Sequence, residues 1–186
     1  SFSVPVFYVP DMVVHTNSYS PSSGKPEAVV RDWLSAQLPI DVRGFLPVTR
    51  EQLYRVHDRD YVDGVLDLHL SNGFGNRSPQ VARSLPYTSG AMLAAAREAI
   101  ANGSVAVAPV SGFHHAGYHD GGGFCTFNGL VVAIDAMIAA VVDAAVVMAG
   151  AVAADHPVEA AGMAGGAGSG GLGVVEGFLG DGQDAD

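Results

Sequence analysis

Apolar residues in this chain come in short β-rich runs alternating with stretches of helical spacing. The run VPVFYV (4–9) reads as a buried strand. NSYSPSSGKP (17–26) is made of turn formers and reads as a loop. In PEAVVRDWLSAQL (26–38), Val29, Val30, Trp33, Leu34 and Leu38 fall on one helical face, with Pro26 suited to the first turn. IDVRGFL (40–46) reads as a second short strand. Thr49 and Gln52 have the spacing of a capping box for the helix REQLYRVH. DYVDGVLDLHL (60–70) predicts another helix, broken near Gly64, and SNGFGNRSP (71–79) a glycine-rich loop. The alanine-rich stretch 88–103 predicts a helix capped by Thr88 or Ser89 and closed by Gly103. SVAVAPV (104–110) predicts a strand and FNGLVVAIDAMIAAVV (127–142) a helix. Strand, polar loop and helix in succession predict an open α/β sheet, in which ligands bind beyond the carboxyl ends of the strands.

Composition narrows the function classes. At 186 residues and 48% hydrophobic, the chain is long enough for one domain with a real core. A net charge of −10 argues against nucleic acid and against an anionic membrane as partners. A single cysteine excludes an internal disulfide framework and fits a reducing compartment, so a cytoplasmic location is expected. The first fifteen residues show no basic segment followed by an apolar one, so no signal peptide is expected.

The charge is uneven. Residues 1–134 hold nine bases and eleven acids, while residues 135–186 hold no base and eight acids. That second stretch also holds fourteen alanines and eleven glycines but a single aromatic residue, Phe178. Two segments are therefore expected: 1–134, and an acidic Ala/Gly-rich extension 135–186, helical at first and mobile later. The apolar stretch 131–152 is long enough to span a membrane. Asp135 and Asp143 interrupt it, however, and each costs about 2.5–3.5 kcal/mol near a helix centre. No membrane contact is expected.

The candidate chemistry lies in SGFHHAGYHDGGGFCTFNG (111–129), at the end of the third expected strand. His114, His115 and His119 fall within six positions and are followed by three glycines and the only cysteine. Imidazole suits proton transfer near neutrality and is also a common zinc ligand. Glycines 121–123 let backbone approach a ligand closely and permit positive φ. Phe124 and Phe127 are candidate walls of an apolar channel. Cys125 reads as a packed thiol rather than a nucleophile, and His119 as a turn residue. The chain has no nucleophile elbow and no C-x-x-C pair, and its other glycine clusters lack the spacing of a phosphate loop.

The segment SGFHHAGYHDGGGFCTFNGLVVA resembles the zinc-dependent histone deacetylase and acetylpolyamine amidohydrolase superfamily, bacterial branch. RVHDRDYVDGVL (55–66), SYSPSSGKP and NGFGNRS also resemble it, so that the likeness covers about residues 5–134. The resemblance implies a three-layer, arginase-like α/β fold with a central parallel sheet, here incomplete. It implies hydrolysis of acetyl-lysine or an acetylated polyamine by a zinc-activated water. Carried over by position, His114 and His115 are the proton-handling pair, one activating the water and the other protonating the leaving amine. Gly123 contacts the substrate amide, Phe124 walls the acyl-lysine tunnel and Cys125 lines the acetyl pocket. Arg59, between Asp58 and Asp60, stands where an acidic rim residue is often found.

The later parts of the family pattern do not follow. Its metal ligands lie in an Asp-x-Asp-x-His motif and a more distant Asp, and a late Tyr stabilises the oxyanion. From Asn128 onward there is no Asp-x-His, and the last tyrosine is Tyr118. The metal ligands are therefore unassigned, and a catalytically inactive fragment or a partner-binding remnant is the alternative function. Out-of-frame translation beyond Ile134 would account for the change of composition. A new metal site drawn from His114, His115, His119, Asp120 and His156 is the remaining, strained option. The oligomeric state is left open.

Overall fold

The computed structural model describes residues 2–15 and 21–155. β1 (Val4–Phe7) and β2 (Ile40–Arg43) pair in parallel, with Val4 opposite Ile40 and Phe7 opposite Arg43. Parallel strands need a crossover, and α1 (Lys25–Ser35) lies in the connection between them. α1 stops short of the expected 38, and Gln37 turns the chain with a φ of 55°.

The third expected strand, 104–110, is reduced to one parallel bridge between Val107 and Val6. Val107 N–H donates to Pro5 O, and Phe7 N–H donates to Val107 O, both at 2.8 Å. The ladder goes no further because Pro109 has no N–H and Val110 N–H folds back onto Ala108 O at 2.8 Å. β1 is thus central, and Val6 is fully buried.

α2 (Arg50–Tyr54) carries the expected capping box: Thr49 Oγ1 accepts from Gln52 N–H, and Gln52 Oε1 accepts from Thr49 N–H at 2.8 Å. α3 (Arg59–Leu66) is not broken at Gly64. The glycine is needed for a different reason: Leu70 folds back over it, so that a β-carbon there would lie 2.6 Å from Leu70 Cδ1. The 88–103 helix is likewise corrected. α4 (Pro79–Asn102) starts nine residues earlier, with Ser78 as its N-cap, and runs through Pro86. An internal proline costs about 3 kcal/mol. Val81, Ala82 and Leu85 are buried before it and Ala91, Leu93 and Ala95 after it, and this burial holds both halves in one helix. Gly103 closes α4 in the left-handed region, as expected.

α5 (Gly129–Asp155) crosses the Ile134–Asp135 change of composition without interruption. Its first turns join the core: Val132 and Ala133, with Phe127 just before the helix, pack with Leu53, Val62, Val65 and Leu85. Arg55 holds Asp135 at 2.5 and 3.1 Å, tying α2 to α5. Farther along, Ile138, Val141, Val146 and Val147 are each more than half exposed. The stretch Gly129–Met148 is long and apolar enough to cross a membrane by length and composition. Residues 17–20 of the NSYSPSSGKP loop, His156 and the extension after Asp155 lie outside the described residues.

Candidate active site

The loop that follows Val107 brings the predicted residues together. His114 and His115 lie side by side with ring centroids 4.0 Å apart and planes tilted by 45°, and both are exposed. Neighbouring side chains can share one opening here because the backbone between Gly112 and Gly117 is irregular. Phe113 and Ala116 on either side of the pair are buried and anchor it. Both imidazoles open onto a cleft of ≈ 580 Å³ that also touches Trp33, Gly123, Phe124 and Cys125.

Gly122 to Cys125 forms a tight turn, with Cys125 N–H donating to Gly122 O at 2.9 Å. Gly123 and Phe124 both have positive φ, 54° and 67°, as a type I′ turn requires. A bulky residue in that region is a true outlier and stores about 1–3 kcal/mol of strain. Phe124 is held there by its N–H, which donates to Gly73 O at 2.9 Å, and by Phe74, whose ring meets it edge-on at 5.6 Å. Gly123 faces His115 closely: a β-carbon would come within 2.6 Å of His115 Cδ2.

Cys125 is buried, and its thiol donates to Gly112 O at 2.9 Å, the packed state expected of it. Phe127 and Phe124 border one small pocket together with Phe74, Phe113 and Cys125. Phe127 itself is 2% exposed and packs against His57 and Tyr61. The ring that meets Phe124 edge-on is Phe74, from a glycine-rich segment whose sequence signal is a lone aromatic between two glycines. Phe124 also borders the cleft of His114, His115 and Gly123.

His119 stands apart from the pair. It is well exposed, lies edge-on to Tyr118 and sits 3.8 Å from Asp58. Asp58 itself caps α3, accepting from Tyr61 N–H at 3.0 Å, and Arg59 lies over the Tyr54 ring at 4.1 Å. The rim position therefore carries a cap and a stacked cation.

Two buried side chains clamp the loop, and the sequence reading did not assign them. His57 is 1% exposed, with Nδ1 2.8 Å from Gly117 O and Nε2 2.9 Å from Asn128 N. Tyr61 donates to Thr126 O at 2.8 Å, and burial pushes its hydroxyl well above the usual phenol range. Their signal was a histidine between two short helices and an aromatic four residues on, one helical turn away.

A zinc site needs three or four converging donors. Among the described residues, no three His, Cys, Asp or Glu side chains come together in this way. The described residues do not fit the metal expected from the resemblance, and the strained site from His114, His115, His119 and Asp120 does not form among them.

The histone deacetylase domain profile matches residues 27–148. The solved structure titled "Crystal Structure of HDA15 HD domain" superposes with a TM-score of 0.63 at 21% identity, over 75% of this chain and 44% of that one. This likeness carries the fold: helices around parallel strands, an incomplete form of the deacetylase-like α/β architecture. The chain thus spans less than half the length of the matched structure. No curated protein matches the sequence.

Proposed function

The chain belongs to the histone deacetylase domain family, and on that premise we propose that its cleft binds an acetyl-amide, acetyl-lysine or an acetylated polyamine, for hydrolysis. One observation carries the reading: two adjacent, accessible imidazoles stand beside a strained Gly-Phe turn on a single open cleft. Hydrolysis adds water across the C–N bond. The new C–O bond forms as water gives up a proton, and the C–N bond breaks as the amine receives one. A pair of imidazoles supplies both transfers: one accepts the proton from water and the other donates to the leaving nitrogen, each contributing about 10²–10⁴-fold. Gly123 offers a bare backbone edge to a substrate amide, and Phe124 an apolar edge to an acyl-lysine stem. The family is generally zinc-dependent.

The lack of a donor cluster among the described residues favours a second reading, a chain that binds the acetyl-amide without turning it over. Acetate release from an acetyl-lysine peptide separates the two. The hydrolytic reading expects release that falls at least a hundredfold in His114→Ala and His115→Ala. Release that is unchanged in both variants refutes it. No release from a folded chain that still binds the peptide leaves the second reading.

A further inference from the structure

His57 sits in the turn between α2 and α3, almost wholly buried, and both of its ring nitrogens are engaged. The Gly117 carbonyl can only accept, and the Asn128 backbone N–H can only donate. The ring must therefore carry its proton on Nδ1 and present a bare Nε2 to Asn128. These two contacts fall at opposite ends of the candidate loop. Gly117 is two residues after His115, and Asn128 immediately precedes α5, where its side chain accepts from Val131 N–H. Between them lie Gly123, Phe124 and Cys125.

We propose that His57 is a positioning residue: a neutral imidazole strut that sets the His114–His115 loop against the start of α5 and lets go when it is protonated. Its relevance to catalysis rests on the function proposed above, while the strut itself rests on the two contacts.

The release follows from donor and acceptor chemistry. A proton on Nε2 would place two donors 2.9 Å apart, ring N–H against backbone N–H. It would also set a positive charge at the N-terminal end of α5, where the unpaired peptide N–H groups already carry positive partial charge. Burial holds the His57 ring below the ordinary imidazole range, with the Gly117 and Tyr118 backbone opposing it. The titratable neighbours are few. Asp58 adjoins His57 in the chain but is engaged with Tyr61 N–H and near His119. Tyr61 of α3 lies 6.1 Å away, ring to ring. Asp120 and His119 belong to the loop, and Asp135 of α5 is paired with Arg55. None of these side chains hydrogen-bonds the His57 ring.

The test uses the full chain labelled with ¹⁵N. Long-range ¹H–¹⁵N spectra of the imidazoles should show His57 as the Nδ1–H tautomer. Amide exchange at Asn128, corrected for its intrinsic pH dependence, should lose protection at least tenfold as His57 protonates. The Val107 amide, bonded to Pro5 O in the sheet, should keep its protection through the same step. His57→Gln stays neutral and cannot bridge both partners, so its Asn128 protection should be low at every pH, without a step. An Nε2–H tautomer overturns the proposal even if the variant does not fold. So does an Asn128 response that follows His114, His115 or His119 instead of His57. None of these readouts needs substrate, so a chain that fails to bind or cleave acetyl-amides would refute the proposed function and leave the strut standing.

Discussion

Three consecutive glycines, Gly121, Gly122 and Gly123, should respond to alanine in three different ways. At Gly121 a β-carbon would lie 2.6 Å from both Cys125 O and Tyr61 Oη, and 3.0 Å from Thr126 Cα. Two of those atoms are backbone, so rotating a side chain cannot relieve the clash. Overpacking of this kind costs about 1–3 kcal/mol. Pushing Tyr61 off Thr126 O removes a buried hydrogen bond worth about 0.5–1.5 kcal/mol more. Gly121→Ala should therefore destabilise by about 3 kcal/mol, lowering Tm by roughly 6–12 °C for a domain of this size. At Gly122 a β-carbon meets nothing within 4 Å, and φ is not in the left-handed region. Gly122→Ala should be neutral, or stabilising by about 0.4–1 kcal/mol through the unfolded chain. At Gly123 the φ of +54° costs an L-residue about 1–2 kcal/mol. The atom it meets is the ring of His115, which is exposed and can swing away. Gly123→Ala should thus lose about 1–2 kcal/mol, less than Gly121→Ala, and displace His115 from its partner. Urea unfolding followed by circular dichroism ranks the three, and the imidazole resonances report the displacement. A flat series, or Gly122→Ala as the worst of the three, would refute this account of the turn.

Other substitutions test the frame around the site. Ser78→Ala removes the cap of α4 and should cost about 1 kcal/mol in urea unfolding, with m unchanged. Asp63 is held below the ordinary carboxylate range by the Tyr54 hydroxyl first and the Arg50 guanidinium second. A carboxyl shifted down in this way stabilises the fold above its unfolded value, near 3.8, and that contribution is lost as pH falls through the folded value. Tyr54→Phe should therefore move the Asp63 titration up towards 3.8, as read from its carboxyl carbon resonance. On α5, Val142→Glu with Val146→Glu replaces two side chains that are more than half exposed. Thermal stability, followed by circular dichroism, should hold, because neither side chain is packed in the core.

The parts of the molecule legible in its sequence are those fixed by local signals. β1, the start of α1, the Thr49–Gln52 capping box and the glycine closing α4 depend on residues a few positions apart. The cluster of histidines and glycines was visible for the same reason. The misses have tertiary causes. The helix expected from residue 88 starts at Pro79, because burial on both sides of Pro86 carries α4 through a residue that ordinarily breaks a helix. Gly64 reads as a break but makes room for Leu70. Residues 104–110 have the composition of a strand, but Pro109 lets only Val107 join the sheet. Phe127 and Phe124 look equivalent in sequence. One lies in the core and the other in a left-handed turn, because the partners that decide between them, His57 and Gly73, lie more than fifty residues away.

The central claim, that the cleft beside His114 and His115 receives an acetyl-amide, is tested most directly by titrating an acetyl-lysine peptide into the ¹⁵N-labelled chain, with the unacetylated peptide as control. The account predicts saturable shifts confined to the His114 and His115 rings and the Gly123 and Phe124 amides, produced by the acetylated peptide alone. Equal responses to both peptides, or none at these four residues, would contradict it.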